Sequence, residues 1–325
     1  MGVAVWGTGA YVPERVVSNA EVGGPAGVDD EWIQRKTAIR ERRWVAPDEA
    51  TSDLATRAAV RALEAAGLTP DDLRYVVVAT STPDHPQPPT AAYVQHNLQA
   101  RNAAAFDMNA VCSGFVFATS AVARMLWAVD GYGLVIGADV YSRILNPTDR
   151  RTVILFGDGA GAVVLGPSDG DHHGIISTKL HTFGALNDKI MVPAGGSRLP
   201  LEDIHHETGL AYFTMEGRAV KDFVLTELPP LVADFFAQAG VDPAEIDHFI
   251  PHQANGMMLD DLVPALGLVN ARVHRTLESY GNTGAASVGI TLDQASREGS
   301  LQRGEKVFLA GFGGGMAAGL AVLAW

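Results

Sequence analysis

The chain contains one cysteine, Cys112, in 325 residues. A lone thiol forms no intrachain disulfide, so nothing calls for an oxidising compartment, and a cytoplasmic location is expected. Long apolar runs are also missing. No stretch reaches 18 uninterrupted apolar residues, so no membrane span is expected. The start, MGVAVWGTGAYVPE, has no basic segment followed by a long apolar run, and no signal peptide is read there. Positive charge is scarce: the formal net charge is −13, which argues against nucleic acid as a partner. The histidine pairs His172–His173 and His205–His206 have no cysteine or carboxylate at ligand spacing. They are expected in surface loops, and no metal site is expected. GTGAYV (Gly7 to Val12) places Val12 where a dinucleotide-binding loop needs its third glycine, so that function is set aside.

What is present is apolar residue, at 47% of the chain, enough for one large domain or two fused ones. One basic cluster stands out in this acidic protein. WIQRKTAIRERRW carries Arg35, Lys36, Arg40, Arg42 and Arg43 between Trp32 and Trp44. Charge alone leaves two readings open, a site for a small anion such as phosphate or a solvated helix face.

The chain repeats itself. AAGLTPDDLRYVVVA, from Ala65, aligns with QAGVDPAEIDHFIPH, from Gln238, a step of 173 residues. Each reads as a helix stopped by Gly, a Pro-containing turn and a buried strand. Later strands correspond too: GLVIGAD with KVFLAGF, each followed by a Gly-rich turn and a last apolar strand. Short hydrophobic strands alternating with helices predict an α/β fold of two pseudo-symmetric halves, layered α-β-α-β-α. The halves are expected at 1–168 and 169–325, divided at the turn-rich GPSDGDHHG. The stretch 181–211 has no counterpart in the first half and reads as an inserted loop region.

The same step carries Cys112 onto Ala285. Each position lies in a loop that opens a helix of small residues, so the two helices are expected to pack closely. Cys112 and Asn282 then approach one centre, with His252 at the end of a strand. A helix N-terminus offers partial positive charge and free N–H groups, and predicts a lowered thiol pKa. A Cys-His-Asn set suits thioester chemistry: the thiol takes an acyl group while two donors stabilise a carbonyl oxygen. Gly313, Gly314 and Gly315 let backbone approach a substrate. Taken singly, each of these residues is more often structural; it is their convergence through the repeat that points to a site.

These residues carry a resemblance. WIQRKTAIRERR, DMNAVCSGF, DRRTVILFGDGAGAVVL, PHQAN, YGNTGAASV and GFGGGMAAG occur along nearly the whole chain. In order and spacing the chain resembles the β-ketoacyl-[acyl-carrier-protein] synthase III (KAS III) family of thiolase-like condensing enzymes. The resemblance implies a thiolase-like fold, a homodimer, and no cofactor beyond a coenzyme A thioester as substrate. It implies that Cys112 accepts an acyl group from acyl-CoA. A malonyl thioester, on coenzyme A or a carrier protein, then hydrogen-bonds His252 and Asn282, loses carbon dioxide and attacks the acyl-cysteine. By the same resemblance the N–H groups of Cys112 and Gly314 form the oxyanion hole. Phe312, Ala254 and Asn255 line the substrate site, and Trp32, Lys36 and Arg150 hold the coenzyme A adenine. The Pro83 to Ala91 loop, with Gln87, reaches into the partner subunit's acyl pocket.

The chain departs from that family in places. Lys36-Thr37-Ala38 replaces Arg-Thr-Gly, which costs a planar stacking group. Gly284 stands where serine is frequent, with little effect expected. Met257, Asp260 and Asp261 replace basic residues that help dock an acidic carrier protein, leaving Arg218 and Lys221 to supply part of that patch. The expected activity is decarboxylative condensation in polyketide or other secondary metabolism. Acyl transfer to a hydroxyl or amine, and housekeeping fatty-acid initiation, are the alternatives.

Overall fold

The computed structural model describes residues 2–168, 170, 173–203 and 209–325. The first half contributes β1 (Val3–Tyr11), α1 (Asp30–Thr37), α2 (Thr51–Ala66), β2 (Leu73–Ala79), β3 (Ala104–Met108), α3 (Gly114–Met125), β4 (Tyr132–Asp139) and β5 (Gly159–Pro167). Its sheet runs β1-β5-β4-β2-β3, with β4, β2 and β3 parallel and β5 antiparallel to both its neighbours. The second half contributes β6 (Gly174–Thr182), α4 (Leu228–Ala239), β7 (His248–Pro251), α5 (Gly256–Leu262), β8 (Arg272–Val273), α6 (Ala286–Arg297), β9 (Lys306–Gly313) and β10 (Ala317–Ala324). Its sheet runs β6-β10-β9-β7-β8 with the same pattern of directions. The repeat read from sequence is therefore a repeat of topology, strand for strand.

Five layers result. In α2, Leu54, Ala55, Ala58, Ala59, Ala62 and Leu63 recur at three- and four-residue spacing and are buried on the outer face of the first sheet. Gly67, at φ 66°, ends the helix. The glycines of GTGAYV serve this packing: a Cβ on Gly7 or Gly9 would lie 2.4 or 2.3 Å from a carbonyl oxygen of α2. On the other side of the molecule, Val232, Phe235 and Phe236 of α4 cover Phe249, Phe308 and Leu320. Each such fully buried side chain contributes about 1.5–3 kcal/mol.

The middle layer is the pair α3 and α6. A Cβ on Gly114 would lie 3.6 Å from Ala285 Cβ, so small residues do bring the two helices together. Phe115, Val116 and Val122 of α3 and Val288 and Leu292 of α6 share one core with Val77, Ile250 and Leu309 from both sheets. The stretch Val111–Ala128 is long and apolar enough to cross a membrane by composition. Here that composition has another cause, since the helix is covered by a sheet on either side.

Between β6 and the helix Gly217–Thr226, the described residues form only short pieces, chiefly Ile190–Met191 paired with Thr214–Met215. The region read as a loop from 181 begins inside β6, which runs to Thr182. His172, His205 and His206 lie outside the described residues. Among the described residues no cluster fit to hold a metal occurs.

Candidate active site

Cys112 sits in a single turn, Val111–Ser113, that leads into α3. The backbone N–H groups of Cys112 and Gly314 lie near enough to its sulfur to favour the thiolate. A Cβ on Gly313 would lie 3.1 Å from Sγ and 4.0 Å from His252 Nε2, so both groups face one point that only glycine leaves free. His252 follows β7 and is held there by its own N–H, which donates to Ala310 O at 2.7 Å. Its ring stands edge-on to Phe312, with centroids 5.6 Å apart, and its Nδ1 lies 2.7 Å from Ser287 Oγ of α6. Asn282 is clamped through its backbone: its N–H donates to Leu155 O and its carbonyl accepts from Gly157 N–H. Its Oδ1 accepts the Gly284 N–H at 2.9 Å, which leaves the NH₂ as the free end of the carboxamide. The structure thus gathers Cys112, His252, Asn282, Phe312 and Ala254 around one cavity of about 650 Å³, within the range of small-molecule sites.

The ionisation of the thiol differs from the expectation. Burial pushes Cys112 up to about 12, against the lowering effect of the Gly314 and Cys112 N–H groups and of the Tyr141 hydroxyl. Desolvation of the charged form outweighs the helix terminus, so the resting group is a neutral thiol. Burial acts on His252 in the other direction, down to about 3, so its ring is neutral at ordinary pH.

Several residues around the site were missed by motif reading. Asp139 is buried at the end of β4 and accepts the N–H groups of Ser81 and Ala285 and the hydroxyls of Thr80, Ser81 and Thr82. It ties the loop after β2 to the start of α6, and so joins the two halves. Tyr141 meets Ser81 Oγ at 3.0 Å, stacks on Phe156 at 4.4 Å and meets Phe213 edge-on at 5.5 Å. The three rings wall the cavity beside the sulfur. They come from scattered segments, so no local pattern marks them.

The cavity opens past Trp32, Arg35, Lys36, Arg150 and Arg151. The Arg150 guanidinium lies 5.9 Å from the Trp32 ring centroid, and both line the cavity. Asn255 lines the opening, accepts the Met258 N–H and donates to Lys36 O at 3.1 Å. Ala38 caps α1 at φ 63°, a conformation that glycine adopts without strain. Opposite it, a Cβ on Gly256 would lie 2.5 Å from the Ala38 methyl, so Gly256 yields the space.

Other expectations are corrected. Arg42 is no ligand group: it is fully buried and donates to Asn19 Oδ1 and Ile154 O at 2.8 and 2.7 Å. Only the Arg35–Lys36 end of the basic cluster reaches the cavity. Lys221 pairs with Asp261 at 2.8 Å and Arg275 with Asp260 at 2.6 Å, so Lys221 is not a free docking charge. Gln87 is exposed and lies apart from the residues lining the cavity of its own chain. Gly284 is constrained more tightly than expected. At φ 57°, a Cβ there would lie 2.3 Å from Asp139 Oδ2 and 2.4 Å from Tyr141 Cε2.

A thiol under two amide donors, facing an imidazole and a carboxamide across a pair of duplicated sheets, defines a thiolase-like condensing enzyme. Residues 106–184 match 3-oxoacyl-[acyl-carrier-protein (ACP)] synthase III, and residues 236–325 match its C terminal. The chain is 64% identical to acetoacetyl CoA synthase NphT7 of Streptomyces sp. (strain CL190), over 98% of this chain and 97% of that one. It is 41% identical to β-ketoacyl-[acyl-carrier-protein] synthase III of Caldanaerobacter subterraneus subsp. tengcongensis, over 100% and 98%. The priming β-ketosynthase of the R1128 polyketide pathway superposes with a TM-score of 0.92 at 33% identity, covering 99% and 96%. The chain belongs to the 3-oxoacyl-[acyl-carrier-protein] synthase III family, whose members are acyl-transferring condensing enzymes.

Proposed function

We propose that this enzyme condenses a short acyl-CoA with a malonyl group carried on coenzyme A, in polyketide or other secondary metabolism. One observation carries the choice of coenzyme A over a carrier protein. Beside the cavity mouth, Asp260 and Asp261 neutralise Arg275 and Lys221, and Met257 is half-exposed between them. On that side of the mouth, away from Arg35, Lys36, Arg150 and Arg151, an acidic carrier protein finds little complementary charge. The name of the relative from Streptomyces sp. agrees with this reading. The ring wall of Tyr141, Phe156 and Phe213 favours a short acyl group.

In this reading the Cys112 sulfur attacks the thioester carbonyl, the N–H groups of Cys112 and Gly314 hold the oxyanion, and coenzyme A leaves as its thiol, taking up the proton that Cys112 gives up. Trp32, Lys36 and Arg150 contact the coenzyme, and the pantetheine arm passes Ala254, Asn255 and Phe312. The malonyl thioester enters next. Its carbonyl accepts hydrogen bonds from His252 and Asn282, carbon dioxide departs, and the enolate attacks the acyl-cysteine, returning the sulfur. No cofactor takes part. The duplicated strand order supports a division at 1–168 and 169–325, with 181–211 as the insertion. The exposure of Gln87 supports a homodimer in which the Pro83 to Ala91 loop closes the partner subunit's pocket. The single thiol is in keeping with a cytoplasmic location.

The test is to offer acetyl-CoA with either malonyl-CoA or a malonyl-carrier protein, following mass added to Cys112, carbon dioxide released and product. The reading expects an acetyl adduct and kcat/KM at least about tenfold higher with malonyl-CoA, as loss of one favourable charge contact predicts. Preference for the carrier protein would return the enzyme to fatty-acid initiation. Ester or amide product without carbon dioxide would indicate transfer to a hydroxyl or amine.

A further inference from the structure

The neutral His252 ring carries one proton, and its position decides whether the site has a donor or an acceptor. The Nε2 edge faces the cavity, 4.0 Å from the point beside Gly313 that also lies 3.1 Å from the sulfur. The Nδ1 edge faces away, 2.7 Å from Ser287 Oγ. Ser287 is buried in the first turn of α6. Its hydroxyl has a second neighbour, the Gln253 N–H at 3.4 Å, which is a donor only. Gln253 has no freedom to turn away. Its side chain donates to Pro251 O and His274 O and accepts the Thr276 N–H, all in buried surroundings.

Those contacts fix the direction of the Ser287 proton. With one lone pair turned to the Gln253 N–H, the hydroxyl hydrogen needs an acceptor, and the His252 Nδ1 lone pair is the acceptor at hand among the described residues. The opposite tautomer would fill both lone pairs of that oxygen with donors and strand the hydroxyl hydrogen in a buried place. We infer that Ser287 is a positioning residue that holds His252 with its proton on Nε2, so that the ring presents a hydrogen-bond donor to the thioester carbonyl of the second substrate. The inference rests on the condensing reading above and adds the residue that sets the polarity of its histidine.

The repeat gives the arrangement a reason. Ser287 lies two residues past Ala285, the counterpart of the nucleophile. In the first half that place opens the helix that carries the cysteine. In the second half the same turn of helix carries the hydroxyl that orients the imidazole.

The test uses the whole enzyme, labelled with ¹⁵N in histidine, as wild type and as Ser287→Ala. The ring nitrogens of His252, assigned by their loss in His252→Ala, should show the proton on Nε2 in wild type. Ser287→Ala should broaden or mix that pattern and lower the rate of malonyl-CoA decarboxylation by roughly fivefold to tenfold, the worth of one positioned hydrogen bond. Acylation of Cys112 by acetyl-CoA should stay at the wild-type rate, which also shows that the variant is folded. A wild-type ring protonated on Nδ1 overturns the inference. So does Ser287→Ala with unchanged decarboxylation, or with acylation and decarboxylation falling together, which would mark Ser287 as packing only. Failure of the condensing reading itself looks different, because the wild-type enzyme would then release no carbon dioxide from malonyl-CoA in the same assay.

Discussion

At position 109 in the first half and 282 in the second, an asparagine accepts the N–H of the residue two further on, at 3.2 and 2.9 Å. That residue, Val111 or Gly284, has positive φ in both halves, 48° and 57°. Next comes Cys112 in one half and Ala285 in the other, each at the threshold of a central helix. One turn has been put to two uses. In the first half the asparagine is exposed and the following position carries the thiol. In the second the asparagine is buried beside the cavity and the thiol position is a methyl. Duplicated backbone gives two equivalent helix entries; side-chain choice puts the thiol at one and, in the proposed mechanism, the carboxamide donor at the other.

The steric setting of the two turns differs as well. Val111 is a β-branched residue in a left-handed conformation, a strained choice beside the thiol. Its side chain fits because Gly314 faces it, where a Cβ would lie 2.5 Å from Val111 Cγ1. Gly284 is faced by Asp139 and Tyr141, and nothing larger fits.

The comparison breaks most sharply if the roles are exchangeable. Cys112→Ala should show no acyl adduct with any acyl-CoA by intact mass. Adding Ala285→Cys to that variant should not restore one, because Ala285 is fully buried and lies apart from the residues lining the cavity. An adduct on position 285 would mean that the halves are chemically equivalent.

A second expected difference is in pH dependence. The thiol is neutral below about 12, so the thiolate fraction grows about tenfold per pH unit, and single-turnover acylation should rise accordingly from about pH 6 to about pH 9. His252 protonates only near 3, so it stays neutral over that range and decarboxylation should be flat. Stopped-flow measurement of the two half-reactions separates them. Acylation that is level across that range would mean a thiolate already formed at rest.

The smallest expected effect is steric. Gly284→Ala should lose about 3 kcal/mol or more of stability in urea unfolding, from left-handed strain and overlap with Asp139. Val111→Gly should stay within about 1 kcal/mol of wild type, since relief of strain offsets added chain entropy. Equal losses at the two positions would show that the turns are held alike.

The layered fold and the meeting of Cys112, His252 and Asn282 at one cavity were legible because a repeat step and short motifs carry them. What was not legible depends on neighbours far along the chain. The ionisation of Cys112 is set by depth of burial, which spacing does not encode. Arg42 reads as one of a run of surface cations, yet it is anchored to a carbonyl 112 residues away. Lys221 reads as a free cation until α5 brings Asp261 to it. Tyr141, Phe156 and Phe213 meet only when the chain just past the insertion folds back over the first half. Ser287 sits in a motif quoted for its neighbours, and its partner is 35 residues upstream.

The central claim is a division of labour, with one half taking the acyl group and the other making the carbanion. The most direct test is Asn282→Ala and His252→Ala, each followed in one sample for acetyl mass on Cys112 and carbon dioxide from malonyl-CoA. The account predicts a normal adduct with decarboxylation lowered by about 10²-fold or more, the scale of losing a donor to a developing oxyanion. Undiminished carbon dioxide release in both variants, or loss of the adduct together with it, would contradict the account.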